Sequence, residues 1–133
     1  ILPMQQITFG QLREDFPDAV VMSTDTGYIR NYGVYPYGDY EETARIIFPV
    51  SVSDQRYFAK EIMYVMPIGD ISVALPKDQL EGIAEMEVEG QILRVERDGG
   101  LINATLGGQS IPGYFEMWFS WATHHQDTGL VWD

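Results

Sequence analysis

The stretch AEMEVEGQILRVERDGGLINATLG (84–107) alternates apolar and polar residues with a period of two, interrupted by turn residues. Met86 and Val88 fall on one face, against Glu85, Glu87 and Glu89 on the other; Leu93 and Val95 then oppose Arg94 and Glu96. Successive side chains of an extended chain point to opposite faces, so this is the pattern of strands with one buried side. Asp98-Gly99 marks a hairpin, because both central positions of a type I′ turn need positive φ. LINATLG (101–107) returns as the third strand of an antiparallel meander.

Working outward, KEIMYVMPIGDISVALP (60–76) reads as two strands around a turn at Gly69-Asp70. Pro76 opens a helix of one or two turns, PKDQLEG. ITFGQLREDFPD (7–18) reads as a short helix, with Thr8 as cap, Gln11 as a weak capping-box partner and Pro17 as stop. AVVMS (19–23) is expected to be a buried strand. RIIFPVSVS (45–53) is expected to be extended, with an edge or bulge at Pro49. YFEMWFSWATHH (114–125) is apolar around nearly its whole circumference and so reads as a buried helix. The sum is an α+β fold: mostly antiparallel β-sheet with a C-terminal meander, two short helices and one buried C-terminal helix, with six or seven strands. The 133 residues suffice for one domain.

Composition removes several function classes. Twenty acidic residues against eight basic ones give a net charge of −12, which repels phosphate backbones and argues against nucleic acid as a partner. It suits a solvated surface or a cationic partner. With no cysteine, the chain has no disulfide, thiolate metal site or cysteine nucleophile. No run approaches the roughly 18 apolar residues of a membrane helix, so the chain is read as not membrane-spanning. It opens on Ile1 rather than Met, which raises the expectation that it is the C-terminal portion of something longer.

Asp-Thr-Gly occurs twice, at 25–27 and 127–129, as in the two halves of an aspartic protease. Such an enzyme needs two equivalent carboxylates sharing a proton. Ser23-Thr24 precedes the first triplet where apolar residues belong, and Tyr28 and Leu130 follow where a small residue belongs. FGQLREDFPDAVVM (9–22) also aligns with WFSWATHHQDTGLV (118–131), each reading as helix, Asp-bearing turn and strand. That alignment sets Asp127 on Asp18, not on Asp25, so the symmetry of a catalytic dyad is missing. Asp18 and Asp127 are expected to close their turns by accepting from local amides.

The segment TDTGYIRNYGVYPYGDYEE (24–42) has no period of either kind and carries five of the eight tyrosines. Loops of this length within compact domains are often functional, and tyrosine supplies rigid contact area with a polar tip. Candidate ligand- or partner-binding residues are Asp25, Arg30, Tyr32, Tyr35, Tyr37, Asp39 and Lys60. A plainer alternative has the tyrosines packing the loop down, Arg30 pairing with a carboxylate, and Lys60-Glu61 forming a solvated pair. Its carboxylates match no calcium-loop spacing, and no cofactor or metal is expected. Adjacent His124 and His125 point about 100° apart on a helix and cannot readily share a metal; His125 is expected to be buried beside Trp118 and Trp121.

Taken in order, Pro17, Asp18, Val20, Val21, Asp25, Thr26, Gly27, Arg30, Tyr32, Gly33, Pro36 and Tyr37 resemble the first block of a bacterial family, domain of unknown function 3179. Lys60 and Glu61 match its Lys-Glu strand start, and Trp118 and Trp121 its tail aromatics. The chain departs from the family pattern at Gln126 and Gly129. The resemblance implies a longer, exported or lipid-anchored protein, periplasmic or at the cell surface, with a cysteine motif upstream of Ile1. The resulting expectation is a non-enzymatic ligand- or partner-binding portion whose partners include the upstream part of the same chain. The competing one is the supporting half of an enzyme, with Asp25, Arg30 or Lys60 completing a thiol site.

Overall fold

The computed structural model describes residues 2–51 and 54–132. Helix α1 (Phe9–Asp15) is followed by a long irregular segment, then by β1 (Ile62–Ile68) and β2 (Ile71–Pro76). A 3-10 turn (Lys77–Gln79) leads into β3 (Ile83–Val88), β4 (Gln91–Asp98), β5 (Leu101–Leu106) and β6 (Gln109–Ile111). Strand β7 (Tyr114–Met117), helix α2 (Trp118–His124) and β8 (Gly129–Val131) complete the chain. This is a mixed α and β fold in which β predominates.

The strands form two four-stranded sheets. One is the antiparallel meander β3-β4-β5-β6, the other β7-β1-β2-β8. In the second sheet β1 is antiparallel to β2 and β7, whereas β8 lies parallel to β2. Alternation assigns the faces. Tyr64, Met66, Ile68, Val73 and Leu75 pack against Val88, Leu93, Val95, Ile102 and Ala104 of the meander. Met63, Val65 and Ala74 point the other way, onto Trp118, Trp121 and Ala122 of α2. The β1-β2 pair is thus covered on both faces, which is why its sequence is almost continuously apolar while the meander alternates.

Several turns match their expected positions. Ile68 pairs with Ile71 around Gly69-Asp70. Thr8 caps α1 by accepting from the Gln11 amide. The β4-β5 hairpin is displaced by one residue: Asp98 pairs with Leu101, so Gly99-Gly100 form the turn, with Gly99 at φ +57°.

Three expected elements need correction. Residues 19–23 form no strand, and Val20 and Met22 are 99% and 91% exposed. Residues 45–51 are likewise irregular, while Val52 and Ser53 of that expected extended run lie outside the described residues. The expected helix 114–125 is half strand. Tyr114 to Met117 pair with β1, and the helix begins only at Trp118. The Trp118 and Phe119 amides donate to the carbonyls of Glu61 and Ala59, so the chain entering β1 fixes where α2 starts. No described helix is long and apolar enough to cross a membrane.

Candidate functional site

The tyrosine loop is held by one buried cation. Lys60, two residues ahead of β1, is only 4% exposed. Its ammonium donates to the carbonyl oxygens of Thr43 and of Arg45, the latter at 2.7 Å, and sits 3.9 Å from the centre of the Tyr40 ring. A buried ammonium is tolerable only when its donors are satisfied, and two carbonyls plus a ring face do that here without a carboxylate among the described residues. The solvated Lys60-Glu61 pair of the plainer reading is therefore replaced by a clamp.

Beyond that clamp, Tyr35, Tyr37 and Tyr40 wall a cavity of about 270 Å³ floored by Ile47, Phe48 and Met117, with Glu41 as its one charged group. The Tyr35 and Tyr37 rings meet edge to face, 5.6 Å apart at 68°. The Tyr35 hydroxyl donates to Glu41 Oε1 at 2.5 Å. That bond, reinforced by desolvation and by the Glu41 charge, pushes the Tyr35 phenol up to about 12. Met117 closes β7, so the cavity is attached to the sheet at one wall and to Lys60 at another.

Of the residues singled out in the sequence, Tyr35, Tyr37 and Lys60 come together here. Tyr32 lies apart, its hydroxyl 3.1 Å from Thr26 Oγ1. Asp25, Arg30 and Asp39 do not line the cavity. The Asp25 amide donates to Ser23 Oγ, shaping the turn around the first Asp-Thr-Gly. Arg30 makes no ion pair among the described residues, contrary to the pairing expected of it. The exposed tyrosines also do not pack the loop down: Tyr28, Tyr32, Tyr35 and Tyr37 are all half or more in solvent. Tyr40, Glu41, Ile47, Phe48 and Met117 were missed. The spacing of Tyr35, Tyr37 and Tyr40 was the available signal, whereas Met117 is remote in sequence.

The C-terminal helix carries a second polar cluster. Ser120 Oγ donates to Glu116 Oε1 at 2.5 Å, and His124 Nδ1 donates to the Ser120 carbonyl at 2.9 Å. The imidazole engages the serine's backbone rather than its hydroxyl and does not bridge hydroxyl and carboxylate, so this is not the nucleophile–base arrangement of acyl transfer. His125 is half-buried against the Trp121 ring at 5.6 Å. No group of three or more His, Asp or Glu among the described residues is placed to hold a metal.

The two Asp-Thr-Gly triplets sit in unrelated surroundings. The helices of the internal alignment do coincide, Phe9–Asp15 against Trp118–His124. The strand after α2 pairs with β2, but 19–22 pairs with nothing described. Neither Asp18 nor Asp127 accepts the expected side-chain bond among the described residues. Backbone bonds close the turns instead, from the Phe16 amide to Leu12 and from the His125 amide to Trp121.

The chain belongs to a protein family of unknown function, DUF3179, whose model matches residues 1–107. The match takes in α1, the tyrosine loop, Lys60, the β1-β2 pair and the meander through β5; Trp118 and Trp121 lie beyond it. No curated protein and no solved structure matches this chain.

Proposed function

We propose that this chain is a non-catalytic binding portion of an exported bacterial protein, and that its contact surface is the 24–42 loop with the apolar run leading into it. The observation that carries this reading is exposure. Val20, Met22, Tyr28, Ile29 and Val34 stand in solvent along one continuous segment. Isolated apolar side chains are ordinary on a protein surface, but a run of large ones marks an interaction face. Lys60 supports a binding role rather than a catalytic one, because its ammonium is committed to loop carbonyls and a ring.

The partner fitting such a face is a further portion of the same polypeptide, in keeping with the longer, extracytoplasmic proteins that the family resemblance implies. Amide hydrogen exchange over residues 20–34, measured in the 133-residue chain and in its natural full-length protein, tests the assignment. Protection rising at least about tenfold in the longer protein is the expected result. Equal exchange in the two would overturn it.

A further inference from the structure

The cavity beside the Lys60 clamp has a chemistry of its own. Its walls are three phenol rings, its floor is aliphatic, aromatic and thioether surface, and no lysine or arginine lines it. The perpendicular Tyr35 and Tyr37 rings form a corner. An aromatic ring carries negative potential on its faces, so rings converging on a small space attract a cation that is too weakly hydrated to prefer water. Glu41 adds a formal negative charge, and its Oε1 is fixed by the Tyr35 hydroxyl. That hydroxyl stays protonated through the physiological range, so it holds the carboxylate in place. The surrounding 24–42 segment contributes Asp25, Asp39, Glu41 and Glu42 against Arg30 alone.

The molecule already uses one of these rings in this way, since the Lys60 ammonium rests on Tyr40, which leaves Tyr35 and Tyr37 as the cavity rings with no cation on them among the described residues. Size narrows the ligand further. At about 270 Å³ the space is below the roughly 300–1,000 Å³ of ordinary small-molecule pockets, so it suits a compact head group and not an extended ligand. An anion would meet the Glu41 carboxylate and three phenol rings.

We infer that the Tyr35–Tyr37–Tyr40 cavity, with Glu41, binds a quaternary ammonium head group. The inference rests on the 24–42 loop being a binding surface, and it names the ligand for that loop's second half. The source is either a free choline-like solute or the head group of a phosphatidylcholine surface.

The test titrates the chain with choline chloride and, in parallel, with 3,3-dimethylbutan-1-ol, the uncharged isostere, following the Met117 and Ile47 methyl resonances. Choline is expected to shift both and to bind about tenfold more tightly than the alcohol, the factor a few ring–cation contacts supply. Tyr37→Leu, at a residue 62% exposed, is expected to weaken choline about tenfold while leaving the alcohol nearly unchanged. Glu41→Gln should weaken choline in the same sense. Flotation with phosphatidylcholine vesicles then separates the sources: co-flotation lost in Tyr37→Leu assigns the lipid head group, and choline binding without co-flotation assigns the free solute. Equal affinity for choline and the alcohol, or no shift at Met117 and Ile47, would overturn the inference. Because the exchange test reads residues 20–34 and this one reads 35–48 and 117, the two assignments fail separately.

Discussion

Single residues decide how similar sequence strings diverge. Gly27 and Gly129 close the two Asp-Thr-Gly triplets, yet they serve different physical ends. Gly27 sits at φ +76° with open space around it, so its lack of a side chain serves backbone conformation. At Gly129 a Cβ would lie 2.5 Å from the His125 carbonyl oxygen and 2.6 Å from the Trp121 indole, so the need there is room. Gly129→Ala should therefore cost about 1–3 kcal/mol by overpacking in urea denaturation, with loss of near-ultraviolet tryptophan signal. Gly27→Ala should leave that signal intact, and a matched loss in both would contradict this assignment. Lys60→Met strands the Thr43 and Arg45 carbonyls, an expected loss of about 1–3 kcal/mol with faster proteolysis between 35 and 48. Arg30→Ala should leave proteolysis unchanged. The Tyr35–Glu41 bond has a pH signature. Because the phenol is raised in the folded state, its contribution is present below the ordinary tyrosine range and is lost as pH rises through about 12. Burial raises Tyr64 and Tyr114 as well, so phenolate absorbance should show several late-titrating groups, of which one moves to lower pH in Glu41→Gln because the largest cause of the Tyr35 shift is gone.

At the scale of elements, the sequence was readable where an element's partner is its neighbour in the chain. The meander and the β1-β2 pair satisfy their backbone groups locally, so apolar spacing and turn residues suffice to place them. Residues 19–23 show the limit. An apolar run states that it should be buried but not against what, and no described strand receives it. The 114–125 segment was misread for a related reason: its apolar residues first face the β1 edge and then, after Met117, the back of that sheet, so two half-stripes look like one fully apolar helix. The tyrosine cavity was half legible, since the ring spacing is local but Met117 and the clamp are not. One long-range device has no sequence signal at all. The Gln5 amide donates to the Ile102 carbonyl at 2.6 Å and accepts from the Ile102 amide at 3.1 Å. It completes the β5 ladder where β6, which pairs only with Ala104 to Leu106, does not reach. Gln5→Leu should cost about 1–3 kcal/mol and accelerate exchange of the Ile102 amide selectively.

The whole molecule divides into a closed half and an open one. From Ile62 onward the chain builds two sheets and a helix, with Trp118 and Trp121, essentially excluded from solvent and stacked 5.3 Å apart, packed on the β1-β2 face turned away from the meander. Between Val20 and Phe48 it leaves apolar and tyrosine side chains in water. Anilinonaphthalene sulfonate should accordingly bind the native chain, and a Val20→Ser, Met22→Ser, Ile29→Ser variant should lose that binding while stability changes by only about 0.5 kcal/mol. If dye binding survived the triple change, the open face would have to lie elsewhere. The parallel strand β8 carries a consequence for the order in which the molecule can be made. The meander is finished by Ile111, whereas the outer edge of β2 stays bare until Gly129 to Val131 have left the ribosome. A nascent chain therefore holds a settled sandwich half beside an unzipped edge of valine and alanine, the kind of edge on which other strands nucleate. For this protein the hazardous interval in biosynthesis opens once the meander has emerged and lasts about as long as α2 and β8 take to follow it.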